Sequence, residues 1–318
     1  GRDYPNNELV EIVGGEARLG KPHSWPSFGW DNEYGHDKRQ VTDFRTSKFL
    51  ISNGEFFEFV KSGGYEEKKH WSDSGWGWRQ FRNVKWPTFW VQDGPAGSNK
   101  FKLRSTFAEL PMQWSWPAVV NFYEAKAYCH WLSEKEGVES PYRLLQESEH
   151  QAIRGPEIGK ASDWPAGGDS LLAYDQVMNS TQLYSINHNL RFGSEGAVDS
   201  FAANENGIYD AQGNVWQWCE DAFHELPDFE IHPLYTDFST PCFDGEHQMM
   251  LGGSFISTGD EASIWARFQF RPHFFQHAGF RVTQEIAELT KKGDKYDTDA
   301  VVSPVSYTHL TLPTIYSV

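Results

Sequence analysis

Cysteine is scarce in this chain. Cys129, Cys219 and Cys242 are three in 318 residues, odd in number and widely spaced, which excludes the disulfide framework that staples small secreted domains. They read as free thiols in a reducing compartment, and cytoplasm is the default location. Basic residues are also short, with 28 Lys and Arg against 44 Asp and Glu and a formal charge of −16. A phosphate backbone needs a basic surface, so nucleic acid is excluded as a partner. No apolar run approaches the length that spans a bilayer, and the opening residues carry no basic-then-apolar leader, so no membrane partner is expected.

Aromatic side chains are plentiful by contrast. Phe, Trp and Tyr make up 16% of the residues, including 14 Trp, while overall hydropathy is low. That combination suggests rings filling a core between polar loops, with little regular secondary structure. The length allows one large domain or two ordinary ones.

The stretch Gly207–Asp221, GIYDAQGNVWQWCED, organises the rest. Trp216 and Trp218 alternate and read as one buried face of a short strand. Asp210 and Gly213-Asn214 are turn formers, and Glu220 and Asp221 return the chain to water. Asp210 and Asn214 are also open to a second reading, oxygen ligands of a structural calcium ion.

Earlier in the chain, residues 10–24 alternate as a strand with a Gly-Gly turn, and FGWDNE (Phe28–Glu33) sets two aromatics beside two acids. Ser52-Asn53-Gly54-Glu55 has capping-box spacing and opens a helix with Phe56, Phe59 and Val60 on its apolar face, closed by Gly63-Gly64. From Tyr65 to Trp116 the density of Trp, Gly and Pro predicts irregular loops. Asn121 and Glu124 form a second capping box, and Ala125, Tyr128, Cys129 and Leu132 recur at core spacing up to Gly137. A third helix is expected over Glu147–Arg154, then surface loop over 156–206. LGGSF (Leu251–Phe255), WARFQF (Trp265–Phe270) and AGFRV (Ala278–Val282) are expected as closing strands.

Seven motifs now stand in order: VGGEARLG, ISNGEFFEFV, SWPAVVNFYEAKAYCHWL, YRLLQESEHQAIRG, GNVWQW, LGGSF and AGFRV. Together they resemble the formylglycine-generating-enzyme-like (sulfatase-modifying-factor) domain. The resemblance implies an α+β, C-type-lectin-like fold of few short helices and small antiparallel sheets, over residues 10–284. The copper enzymes of that superfamily carry a reactive cysteine pair after GGS. GGSFISTGDEASIWARF has no cysteine, so a copper–thiolate centre lacks its ligands there. FGWDNEYG, CHWLSEKEGV, NLRFGS, STPCFDG and FRPHFFQHAGFRV resemble instead the sulfoxide synthases of thiol-histidine biosynthesis, and among them the ovothiol branch.

That branch implies an Fe(II) cofactor and the small-molecule substrates cysteine, histidine and O2, with the cysteine sulfur joined to the histidine ring. The family's iron sits on three histidines of an N-terminal helical-bundle domain, so the resemblance places no metal ligands in this chain. Residues 1–9 are then a cut linker from that domain. Residues 285–302 lead toward a methyltransferase domain, and 303–318, which share no pattern with the rest, read as a non-native tail.

Tyr235 in HPLYTDF matches the tyrosine that, in the related ergothioneine branch, supplies a proton or hydrogen atom near the iron. By composition alone it is equally a turn anchor after Pro233. Phe238 matches a second tyrosine, one that touches the histidine substrate. Phe270 stands where enzymes using γ-glutamylcysteine carry an Asp, which favours free cysteine as the thiol, and the matching Arg position falls among His273–Phe275. Arg267 and Arg271 are candidate carboxylate clamps or ordinary salt bridges. His273 would contact substrate. With His277 it forms an H-x3-H, but Pro272 and the following strand oppose a helix that could present both to a metal. A non-catalytic lectin-like module and an ergothioneine-type enzyme remain the alternatives.

Overall fold

Capping chemistry sets where the helices begin. In the computed structural model, which describes residues 3–25, 27–154 and 186–286, Ser52 accepts a hydrogen bond from the Glu55 N–H, and the Glu55 carboxylate accepts one from the Ser52 N–H at 2.8 Å. Helix α1 (Asn53–Lys61) starts there. Ser72 caps α2 (Asp73–Arg82) by accepting from the Gly75 N–H at 3.1 Å. Asn121 and Glu124 exchange bonds of 3.0 and 2.9 Å to open α3 (Phe122–Glu136), which ends at Gly137 with φ 61°. Each pairing satisfies N–H groups that a helix start otherwise leaves without partners. Helix α4 (Glu147–Ile153) follows, with Arg154 as its C-cap.

Among the described residues the strands are short and fall into four sheets. β1 (Leu9–Ile12), β4 (Phe44–Ser47) and β12 (Thr283–Glu285) form an antiparallel trio with β4 central. β2 (Gly15–Leu19) pairs with β3 (Asp37–Val41), so the Gly14-Gly15 turn divides β1 from β2 between two sheets. β5 (Trp90–Gln92), β6 (Phe101–Arg104) and β7 (Glu109–Pro111) form the third. β10 (Phe268–Phe270), β9 (Gln248–Leu251), β8 (Trp216–Ala222) and β11 (Ala278–Gly279) lie in that order in the fourth, where only β11 runs parallel to its neighbour. The fold is the expected α+β arrangement of few helices and small sheets. Residues Gly1–Ile286 make one unit. The loop expected over 156–206 falls outside the described residues up to 185, as do residues 287–318.

Three expectations need correction. Tyr65–Trp116 is not irregular, since it holds α2 and the β5–β6–β7 sheet. The Ser72 cap and Asn83, left-handed at φ 49°, bound a helix that the density of Trp and Gly obscured. β8 is buried on both faces: Gln217 and Cys219 are as enclosed as Trp216 and Trp218. On one side the Trp218 Nε1 donates to Val120 O at 2.9 Å and Trp216 stacks on Phe268 at 5.3 Å. On the other, the Gln217 amide accepts from Arg281 Nε at 2.9 Å and donates to Asp210 O at 3.0 Å. Nor do Glu220 and Asp221 face water freely. Glu220 accepts the Leu144 N–H at 3.1 Å and pairs with Lys126, while Asp221 accepts the Glu147 N–H at 2.7 Å.

The main core lies between α1, α3 and the third and fourth sheets. Phe56 stacks on Tyr128 at 5.4 Å, and Phe280 meets both rings. Burying each such ring contributes about 1.5–3 kcal/mol relative to leaving it exposed. Cys129 sits inside as expected, its thiol pushed up to about 12 by burial.

Candidate functional site

Tyr235 stands where two loops distant in sequence meet. Ser239 Oγ donates to Asp31 Oδ1 at 2.5 Å and accepts from Asn32 Nδ2 at 3.0 Å, across more than 200 residues. The His232 N–H donates to Asp31 Oδ2 at 3.4 Å. Asp31, Asn32 and Ser239 are all buried, so these bonds are shielded from competing water. Glu33 beneath them accepts the Trp30 N–H at 3.0 Å, and burial pushes its carboxyl up to about 8.

Rings cover this polar floor. Trp30 stacks on Phe238 at 4.4 Å, and meets His232 at 5.5 Å and Tyr235 at 6.3 Å. Tyr235 and Phe238 are 5.2 Å apart, and Phe28 closes on Trp30 at 5.1 Å. His232 Nδ1 accepts the Leu234 N–H at 3.2 Å, which leaves a neutral ring's proton on Nε2. Tyr235 is 48% exposed, and among the described residues its hydroxyl has no hydrogen-bond partner. The phenol is open to solvent.

Arg267 lies beneath this surface. It is 6% exposed and binds Glu147 through Nε and Nη2 at 2.6 and 3.1 Å. Nη1 donates to Asn32 O at 2.6 Å and Nη2 to His224 O at 3.1 Å. Its guanidinium is thus engaged inside the protein, where it ties the Phe28–Glu33 loop to α4. Arg271 is at the surface, with Asp244 Oδ2 at 3.0 Å and Glu246 as its partners. Phe270 opposes Gln248 across the β10–β9 pair and meets Phe274 at 5.3 Å, and the exposed His273 lies 5.0 Å from Phe274.

The candidate residues therefore fall into two groups. Tyr235 and Phe238 share the ring surface, while Phe270, Arg271 and His273 share the end of β10. No hydrogen bond, ion pair or ring contact joins the groups among the described residues. Gln269 Nε2 donates to Cys242 Sγ at 3.1 Å, and Cys242 closes the short 3-10 turn Thr240–Cys242 that follows Ser239. His277 turns away from His273: its carbonyl accepts the Trp216 N–H at 2.8 Å, its ring packs on Phe255 at 4.8 Å, and burial holds its pKa low.

Metal donors are sparse. Among the described residues no group of three or more His, Cys, Asp or Glu side chains could hold a metal ion, so these residues do not fit an iron centre of their own. Asp210 and Asn214, the candidate calcium pair, are bonded to each other at 2.9 Å, and burial pushes the Asp210 carboxyl up to about 7. Both have positive φ, 50° and 65°. Gly213 between them has φ 79°, and a Cβ there would come 2.8 Å from Ile186 Cγ2. This is turn chemistry rather than a cation cradle.

Sequence reasoning named Tyr235 and Phe238 but not Trp30, Asp31, His232, Ser239 or Glu147 as their support. The FGWDNE segment carried a signal, aromatics next to acids, without showing which segment it would meet.

A family model described as the sulfatase-modifying factor enzyme 1-like domain matches residues 2–286. Among curated proteins, the chain is 28% identical over 225 residues to a hercynine oxygenase of Mycobacterium tuberculosis, covering 70% of this chain and 48% of that protein. It is 24% identical to ergothioneine biosynthesis protein 1 of Schizosaccharomyces pombe, covering 83% and 28%, and 24% identical to the formylglycine-generating enzyme of Thermomonospora curvata, covering 78% and 82%. The chain spans about half the length of the hercynine oxygenases it matches. Among solved structures, PvdO from Pseudomonas aeruginosa superposes with a TM-score of 0.55 at 20% identity, covering 90% of this chain and 96% of that one. The likeness to PvdO is one of fold. No helix of the described residues is long and apolar enough to cross a membrane.

Proposed function

Because the chain belongs to the family of the sulfatase-modifying factor enzyme 1-like domain, we propose that it is the substrate-facing half of an iron(II)- and O2-dependent sulfoxide synthase of the ovothiol type, joining the sulfur of cysteine to the imidazole of histidine. The observation that carries this reading is the half-exposed Tyr235, its hydroxyl without a partner among the described residues, beside the rings of Trp30 and Phe238. Similarity to proteins named hercynine oxygenase supports it.

In this reading Tyr235 holds a proton at Oη and gives it up to the reacting centre, which a phenol does over a short range. Trp30 and Phe238 offer flat apolar faces on which an imidazole stacks. Phe270, Arg271 and His273 receive the thiol substrate, with Arg271 exchanging Asp244 and Glu246 for the substrate carboxylate. Phe270 brings no charge for the longer γ-glutamyl arm. Arg267 positions the surface and touches no substrate. The iron ligands are assigned to polypeptide outside this chain.

The test is a substrate assay on two proteins. The chain alone, given iron(II), cysteine, histidine and O2, yields no C–S product. The chain extended through its histidine-bearing segment yields the sulfoxide from free histidine in preference to trimethylated histidine. Turnover by the chain alone overturns the assignment of the iron ligands, and preference for trimethylated histidine makes the protein ergothioneine-type. A second reading, a lectin-like binding module, is favoured by the pairing of both arginines with acids of the same chain, Arg267 inside and Arg271 at the surface, which leaves exposed rings as the ligand surface. Glycan binding by a catalytically silent full-length protein would select it.

A further inference from the structure

A cavity of about 220 Å³ opens elsewhere in the fold, lined by Phe89, Arg104, Ser105, Val119, Glu195 and His277 among others. None of these belongs to the ring surface or to the end of β10. The space is smaller than the roughly 300–1,000 Å³ of ordinary ligand pockets, so its guest must be compact.

Its chemistry is uneven in an informative way. Glu195 is 7% exposed, and no other described residue hydrogen-bonds its carboxylate. With only its own backbone N–H as donor and no cation beside it, a buried carboxylate is costly, and burial raises its pKa accordingly. The backbone around it is fixed: Asn187 Nδ2 donates to Ser194 O at 2.9 Å, and the Asn214 side chain bonds both the N–H and the carbonyl of Gly196 at 2.8 and 3.1 Å. The backbone that carries the Glu195 side chain is therefore held in place on both sides. His277 also reaches the cavity with an imidazole that lacks a hydrogen-bond partner among the described residues, on a backbone anchored to β8. Arg104 supplies the opposite charge. Its guanidinium is about half exposed and meets Glu109 at 3.3 Å, a surface pairing weak enough to exchange. The Ser105 hydroxyl is engaged by the Ala108 backbone, donating to its carbonyl at 3.0 Å and accepting its N–H at 3.3 Å, and Phe89 and Val119 form an apolar wall.

We propose that this cavity is a second small-molecule site that takes a compact apolar α-amino acid, its ammonium on Glu195, its carboxylate at Arg104, and its side chain against Phe89 and Val119. His277 offers the ammonium a further acceptor. The site is independent of the sulfoxide-synthase reading.

Isothermal titration of the chain with L-valine, isobutylamine and isovalerate tests it. L-valine binds saturably, and each fragment, lacking one charge, binds at least about tenfold more weakly. Glu195→Gln weakens L-valine by about tenfold or more, and Arg104→Gln weakens L-valine and isovalerate but not isobutylamine. Tyr235→Phe leaves L-valine binding unchanged. Absence of saturable heat from L-valine, equal binding of the uncharged-end fragments, or full binding by a folded Glu195→Gln variant overturns the proposal. Loss of binding in Tyr235→Phe overturns the independence of the site.

Discussion

The core around α1 and α3 and the surface around Tyr235 are both built of stacked rings, yet they are held by different forces. In the core, Phe56, Phe59, Tyr128 and Phe280 touch one another with almost no exposure, and apolar burial alone fixes them. At the surface, Trp30 and Phe238 stack just as closely, but what lies under them is polar: Asp31 with Ser239, Asn32 with Arg267, and Arg267 with Glu147. The lesson is that the exposed rings owe their order to a buried ion pair rather than to a core. Such a pair orients well, though replacing it by apolar groups is often no less stable.

That contrast sets the largest predicted effects. Phe56→Ala should cost about 3–5 kcal/mol in urea unfolding, with the Tyr235 surface unchanged in the folded fraction. Arg267→Met leaves Glu147 buried without its partner, for a loss of about 3–5 kcal/mol, and here the damage should be local. Hydrogen exchange should rise in Phe28–Glu33 and His232–Ser239 before it rises in α3. Equal protection of those loops in both variants would remove the distinction between the two regions.

A pH comparison sharpens it next. Burial pushes Glu124 up from its ordinary 4.5 to about 7, and Tyr65 donates to it at 2.6 Å. Folding thus favours the protonated acid. The contribution is fully present below about 4.5 and is lost as pH rises through about 7. Relative to Glu124→Gln, the unaltered protein should lose stability across that window, read from urea midpoints. Parallel midpoints would contradict the assignment.

Smaller effects follow. Asn121→Ala removes the α3 cap and should lower stability by about 1 kcal/mol in the same assay. Arg271→Ala should change it by no more than about 1 kcal/mol, because its acid partners are at the surface. Arg267 and Arg271 look equivalent in sequence, and a tenfold or larger difference between their unfolding constants would separate the stitch from the surface pair.

What the sequence made legible follows the distance between partners. The boxes Ser52/Glu55 and Asn121/Glu124 lie three residues apart, so both helices could be read directly, core face included. α2 was missed because its capping residues sit among tryptophans and glycines that read as loop. The fold class came from motif order, and Tyr235 came from resemblance, since a tyrosine after Pro233 is unremarkable by composition. Its support could not be read at all: Asp31 meets Ser239 across 208 residues and Glu147 meets Arg267 across 120. Arg267 reads from the sequence equally as a carboxylate clamp or as a salt bridge, and only packing reveals that the carboxylate it binds is that of Glu147.

The central claim is that the open phenol of Tyr235 takes part in joining sulfur to carbon. It is tested most directly by the product ratio of the protein extended through the segment to which the proposal assigns the iron ligands, with and without Tyr235→Phe. The account predicts that oxygen consumption persists while product shifts from the C–S sulfoxide to oxidised cysteine by about tenfold or more. An unchanged ratio of the two products would contradict it.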